Sequence, residues 1–150
     1  MAEHRKQERE GSKVNNAIET ALGQRLAALP NVPPIAWPNA NYDPKAPGAV
    51  PYVEFVHAPV QRLDDTLDAS DERQEGLALM TVVIARGQFT GPANALADAI
   101  AAQFPNGLRL PLSTGDDVMM TKPADVIQGF TDGIYYRIPV RVTYRTVDAL

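Results

Sequence analysis

The residues able to do chemistry are few and widely spaced. His4 and His57 are the only histidines, and cysteine is absent. Two isolated imidazoles do not make the clustered donor set that a zinc site needs. Serine occurs only at 12, 70 and 113, never inside a Gly-x-Ser-x-Gly turn. Asp64, Asp65 and Asp68 hint at calcium, but the segment lacks the glycine of an EF-hand loop. Gly87 to Pro92 joins a strand pattern to a helix pattern, the setting of a phosphate cradle. It has neither the lysine nor the three glycines such a cradle uses. The sequence therefore assigns no catalytic, metal-binding or cofactor-binding residue and points away from an enzyme.

One stretch speaks for contact instead. From Asp132 to Arg145, Ile134, Tyr136, Ile138, Val140, Val142 and Tyr144 share one parity. Tyr135, Arg137, Pro139, Arg141, Thr143 and Arg145 share the other. Side chains alternate along a strand, so this is one long strand with an apolar face and a basic face. Pro139 places it near a sheet edge or at a bulge. Arginines and a tyrosine on a sheet face can stack and pair with nucleic acid, or meet acidic protein surface. Asp64, Asp65, Asp68, Asp71 and Glu72 form an acidic segment able to complement them. The interface candidates are these five acids with Arg137, Arg141 and Arg145. The formal net charge is −4, so no global basic field draws the chain to nucleic acid. A protein contact is the preferred reading; a small nucleic-acid-binding module on the arginine face is the alternative.

The elements that must position this strand are legible. Residues 1–13 are charged and have no apolar core, so they read as a flexible N-terminal extension rather than a secretory signal. Val14, Ile18, Leu22, Leu26 and Leu29 then repeat at helical spacing until Pro30. A proline-rich loop follows, with a short edge strand at Ile35 to Trp37; Trp37 reads as a cover for the core. Strands are expected at Tyr52 to Pro59 and Leu77 to Arg86, joined by a long acidic loop over 61–75. A second helix is expected over about 92–104, with Pro92 at its first position. Leu108 to Leu112 and Val118 to Gln128 read as further strands, and Asp132-Gly133 as a hairpin turn. The longest nearly apolar run, Leu77 to Ala85, falls far short of the roughly 20 residues that span a bilayer.

The expected fold is α+β: a mostly antiparallel sheet of four or five strands with two main helices packed on one face. At 150 residues, 45% hydrophobic and 21% charged, residues 14–150 suit a single domain.

The order of these segments resembles a known family. Asn16-Ala-Ile-Glu19 opens it, then Pro51-Tyr-Val-Glu-Phe and Arg73-Gln-Glu-Gly-Leu follow. Gly91-Pro-Ala-Asn-Ala-Leu-Ala-Asp runs to Phe104-Pro-Asn-Gly, and Ile138-Pro-Val-Arg-Val-Thr-Tyr-Arg closes it. Over about residues 14–146 the chain is similar to the tail terminator proteins of long-tailed bacteriophages. The resemblance implies a small α+β domain that is not an enzyme and takes no cofactor. It implies a homohexameric ring in the neck region of the virion tail, assembled in the host cytoplasm. Such a ring stops tail-tube polymerisation at the head-proximal end and offers a joining surface to head-completion or connector proteins. Its partners are other copies of itself, the tube protein and those neck proteins, with no membrane and no specific nucleic acid, although DNA passes the lumen. Another neck or tail-completion protein is the nearest alternative.

Overall fold

The computed structural model describes the backbone of residues 2–64 and 72–150, and the side chains of residues 14–59 and 73–150. Helix α1 spans Ala2–Ala27, so the backbone before Val14 continues the helix that the apolar stripe builds. Ile18, Leu22 and Leu26 are fully buried along that stripe. The helix gives way to a turn at Pro30, where Asn31 takes a left-handed φ of 58°.

Strand β1 (Ile35–Ala36) lies parallel to β2 (Tyr52–Asp64), which pairs antiparallel with β3 (Glu72–Ala85). Helix α2 spans Gly91–Ala102, with Thr90 at its N-cap position and Pro92 in its first turn. Short strands β4 (Arg109–Pro111), β5 (Asp117–Met120), β6 (Asp125–Val126) and β7 (Phe130–Asp132) follow, and β8 (Tyr135–Val147) comes last in the chain. The strand order is β1-β2-β3-β8-β5-β4, with β6 and β7 also paired to β8.

The sheet thus has eight strands and is mixed, not four or five mostly antiparallel ones. β1, β4, β6 and β7 have two or three residues each, too few to show an alternation in sequence. The single strand expected over Val118 to Gln128 is two, β5 and β6, broken around Pro123. Strands also run into the expected acidic loop: β2 reaches Asp64, β3 begins at Glu72, and their backbones pair there. A two-stranded ribbon beyond the core needs no apolar alternation, so the sequence did not mark it.

β8 is not an edge strand. Along one side it pairs with β3 from Tyr135 to Arg145; along the other it meets β7, β6 and β5 in turn. Pro139 is tolerated because its missing N–H falls on the second side, in the gap between β7 and β6. Its carbonyl still accepts a 2.8 Å bond from the Ile127 N–H in that gap.

Both helices cover the same sheet face. Val53, Phe55, Met80, Val82, Ile138, Val140, Val142 and Tyr144 meet Ile18 and Leu22 of α1 and Ala97 and Ile100 of α2 in one cluster. α1 touches both β2 and β4, which lie far apart in strand order, so the sheet curls around it. The helix ends are tied where Arg25 Nε donates to the Gln103 carbonyl at 2.9 Å. Trp37 sets its ring edge-on to Phe55, with centroids 5.9 Å apart, and lies over Gly23. A Cβ at Gly23 would stand 2.9 Å from that ring, so the glycine in the helix makes room for the indole.

Candidate functional site

The alternation of β8 sorts its residues as the sequence suggests. Ile138, Val140, Val142 and Tyr144 point into the core, and Arg137, Arg141 and Arg145 point to the face that the helices leave bare. Ile134 belongs to the turn rather than the strand and is 64% exposed.

The bare face is not a field of free positive charge. Arg137 reaches Asp132 at 2.9 Å through Nε and Glu54 at 3.4 Å through Nη1. Partial burial alone would lower the Arg137 pKa; Glu54, Tyr52 and the bonds to Glu54 and Asp132 outweigh it and raise the pKa. Arg141 Nη2 donates to Asp125 at 2.9 Å, and Lys122 meets the same oxygen at 2.8 Å. Those hydrogen bonds, from Lys122 first and then Arg141, hold the Asp125 carboxyl below the usual carboxylate range. Arg145 faces Glu75 at 4.0 Å. Arg73 pairs with Asp148 and Arg109 with Asp117 on the same face. Solvent-facing pairs of this kind add about 0–1 kcal/mol each, so their main effect is to neutralise and orient the arginines. Between them sit half-buried Leu77, Leu79, Met119, Pro139 and Thr143. Arginine with apolar and aromatic neighbours is the composition of a protein-contact surface.

At one end this face is closed by the proline-rich loop. Tyr42 stacks on Tyr52 with ring centroids 4.6 Å apart, and its hydroxyl donates to the Ala49 carbonyl. The side chains of the acids expected to complement the arginines of a neighbouring copy lie outside the described residues. Asp65, Asp68 and Asp71 lie outside the described residues, while the backbones of Asp64 and Glu72 close the β2–β3 ladder. The acids that do meet the arginine row are Glu54, Glu75, Asp125 and Asp132, from four different segments.

The sequence reading missed a buried polar pair on the helix-covered side. Tyr144 Oη and His57 Nε2 are 2.6 Å apart, and His57 Nδ1 lies 3.8 Å from Glu19 on α1. The His57 side chain is 3% exposed. A neutral imidazole with its proton on Nδ1 suits both neighbours: the Tyr144 hydroxyl donates to Nε2, and Nδ1–H faces the carboxylate. Burial lowers the His57 pKa, with Glu19 working in the opposite sense, and burial raises that of Tyr144. Gly76 opposite Tyr144 leaves the space its ring occupies. Parity could have flagged His57, since it shares the inward side of β2 with Val53 and Phe55. Among the described residues, no group of three or more His, Asp or Glu is placed to hold a metal ion. No described helix is long and apolar enough to cross a membrane.

A family model described as phage tail terminator protein matches residues 17–144, nearly the whole domain from α1 through β8. The chain belongs to the phage tail terminator family. It is therefore a structural protein of the virion tail. One solved chain aligns over 93% of this protein and 97% of itself, with a TM-score of 0.70 and 22% identity. A chain from the virion of a native gene transfer agent particle aligns over 87% of this protein and 95% of itself, with a TM-score of 0.60 and 19% identity. At those identities the two structures establish a shared fold. No curated protein sequence matches the chain significantly.

Proposed function

We propose that this tail terminator assembles as a homohexameric ring on the head-proximal end of the tail tube. There it stops tube polymerisation and offers a joining surface to head-completion or connector proteins. The family match over residues 17–144 is the observation that carries this reading. The bare sheet face fits it, because arginines already paired with acids and set among apolar side chains suit protein contact better than phosphate binding. In this reading Arg137, Arg141 and Arg145, with the acids Asp64, Asp65, Asp68, Asp71 and Glu72, lie at contacts with neighbouring copies or the tube. The ring forms in the host cytoplasm before the tail joins the head, and it needs no cofactor and no catalytic group. A closed ring requires two different patches of one chain to meet.

The test is assembly with the tube protein, viewed by electron microscopy. Six-fold rings capping tubes at one end, and tubes that stop growing when the protein is added, are the expected result. Tubes of unchanged length with no ring at either end would overturn it.

A further inference from the structure

Two surface features, built from entirely different residues, complement one another. The first is a knob. Phe89, in the turn between β3 and α2, is 95% exposed, although a phenylalanine ring is costly to leave in water. Gly87 in the same turn takes a left-handed φ of 89°, and α2 begins two residues after Phe89. The knob therefore stands on a short, well-anchored corner. Arg86 at its base is also exposed, and no carboxylate of the described residues pairs with it.

The second is a hollow of about 400 Å³ beside α1. Its floor is Gly23, Trp37, Pro38 and Phe55, and its wall includes Gln24 and Glu19. Trp37 is 42% exposed there, and the Glu19 side chain is 37% exposed. Volumes of this size accept small organic groups, and aromatic faces receive an aromatic ring well. The hollow shares no lining residue with the cavity beside Phe89, which is formed by Pro51, Val82, Ile84, Pro92 and Leu96 among others.

We propose that these are the two halves of one contact between copies: Phe89 of one copy enters the Trp37 hollow of the next, and Arg86 meets Glu19. The inference rests on the ring reading and deepens it by naming the patches. Apolar knob matches apolar hollow, and an exposed cation matches a half-exposed carboxylate on its wall. A knob and a hollow at separate places on one chain make a heterologous contact, which propagates from copy to copy and closes only as a ring.

The absence of cysteine makes the test direct. A Gln24→Cys, Phe89→Cys double variant is oxidised in the free protein at high concentration and after assembly with tube protein. The expected result is a ladder of covalent multimers up to the ring number, while each single variant gives none. In parallel, Phe89→Asp should weaken association by about tenfold or more, with an unchanged circular dichroism spectrum because the side chain is exposed. Arg86→Glu should weaken it too. Rings that form on tubes without the ladder would overturn this contact and leave the ring reading standing. Dimers from Phe89→Cys alone, with no ladder, would also overturn it. Failure to form rings under any condition would remove both.

Discussion

Replacing Tyr144 by Phe removes one oxygen from the centre of the fold, and its cost can be worked out. The hydroxyl lies 2.6 Å from His57 Nε2, and the His57 side chain is 3% exposed. The ring is retained, so no large cavity forms. What is lost is one hydrogen bond, and a buried ring nitrogen is left without its donor. That costs about 1–3 kcal/mol. For a chain of this length each kcal/mol moves the thermal midpoint by about 2–4 °C, so the midpoint should fall by roughly 2 to 12 °C. The assay is thermal and urea denaturation followed by circular dichroism at one fixed protein concentration, since association shifts apparent stability. A double-mutant cycle sharpens it. His57→Leu alone strands the tyrosine hydroxyl, whereas Tyr144→Phe with His57→Leu leaves an apolar pair with nothing unsatisfied. The double variant should therefore lose clearly less than the sum of the singles. Additive losses, or a Tyr144→Phe midpoint within 1 °C of the parent, a shift of only about a third of a kcal/mol, would show that the pair contributes nothing.

The same histidine gives stability a pH dependence. Burial lowers its folded pKa below the unfolded value of about 6.5, so acidification protonates the unfolded chain first. Stability should decline as pH falls below about 6.5, level off once the folded imidazole protonates, and lose that slope in His57→Leu; a slope surviving the substitution would assign it elsewhere. Gly23→Ala favours helix α1 by about 1 kcal/mol in propensity but drives a methyl into the Trp37 ring. The tryptophan emission, which comes from Trp37 alone, should shift toward the red, and an unchanged spectrum would contradict the slot. Reversing Arg137, Arg141 and Arg145 together to Glu sets like charges against Glu54, Asp125 and Glu75. Tube termination should fail in a chain that still folds; tails of normal length would take this face out of the contact.

The long elements were legible because their apolar side chains keep a period long enough to count. The α1 stripe from Val14, the inward row of β8 and the Asp132-Gly133 turn all appear where the residues place them, with Gly133 and Ile134 between the paired Asp132 and Tyr135. Of the short strands, β1 and β4 fall within segments expected as strands, whereas β6 as a separate strand and β7 were illegible because two or three residues carry no period. The reading of Pro139 as an edge marker failed for a related reason. Proline requires only that one donor position be unneeded, and a break between two short neighbours meets that requirement inside a sheet. Of the candidate site, the arginine row was correctly assigned to one face. Its partners within the chain could not be read, since Glu54, Glu75, Asp125 and Asp132 come into register only through the fold. Knob and hollow were invisible for the same reason: Trp37 and Gly23 meet through tertiary packing, and exposure cannot be read from a single phenylalanine.

The place of β8 bears on how the protein is made. Every strand it pairs with precedes it in the chain, and its ladder with β3 joins residues far apart in sequence, such as Gly76 and Tyr144. A ribosome must therefore deliver almost the whole domain before the central ladder can close, and such distant pairings fold slowly. Until then β3 has an open side, β5 has only β4 beside it, and β6 and β7 have no strand to hold them. A chain cut short before β8 would carry exposed strand edges in place of a finished sheet, the state most prone to aggregate. Only complete chains can then supply a building block, a safeguard for any assembly in which one defective copy would spoil the whole.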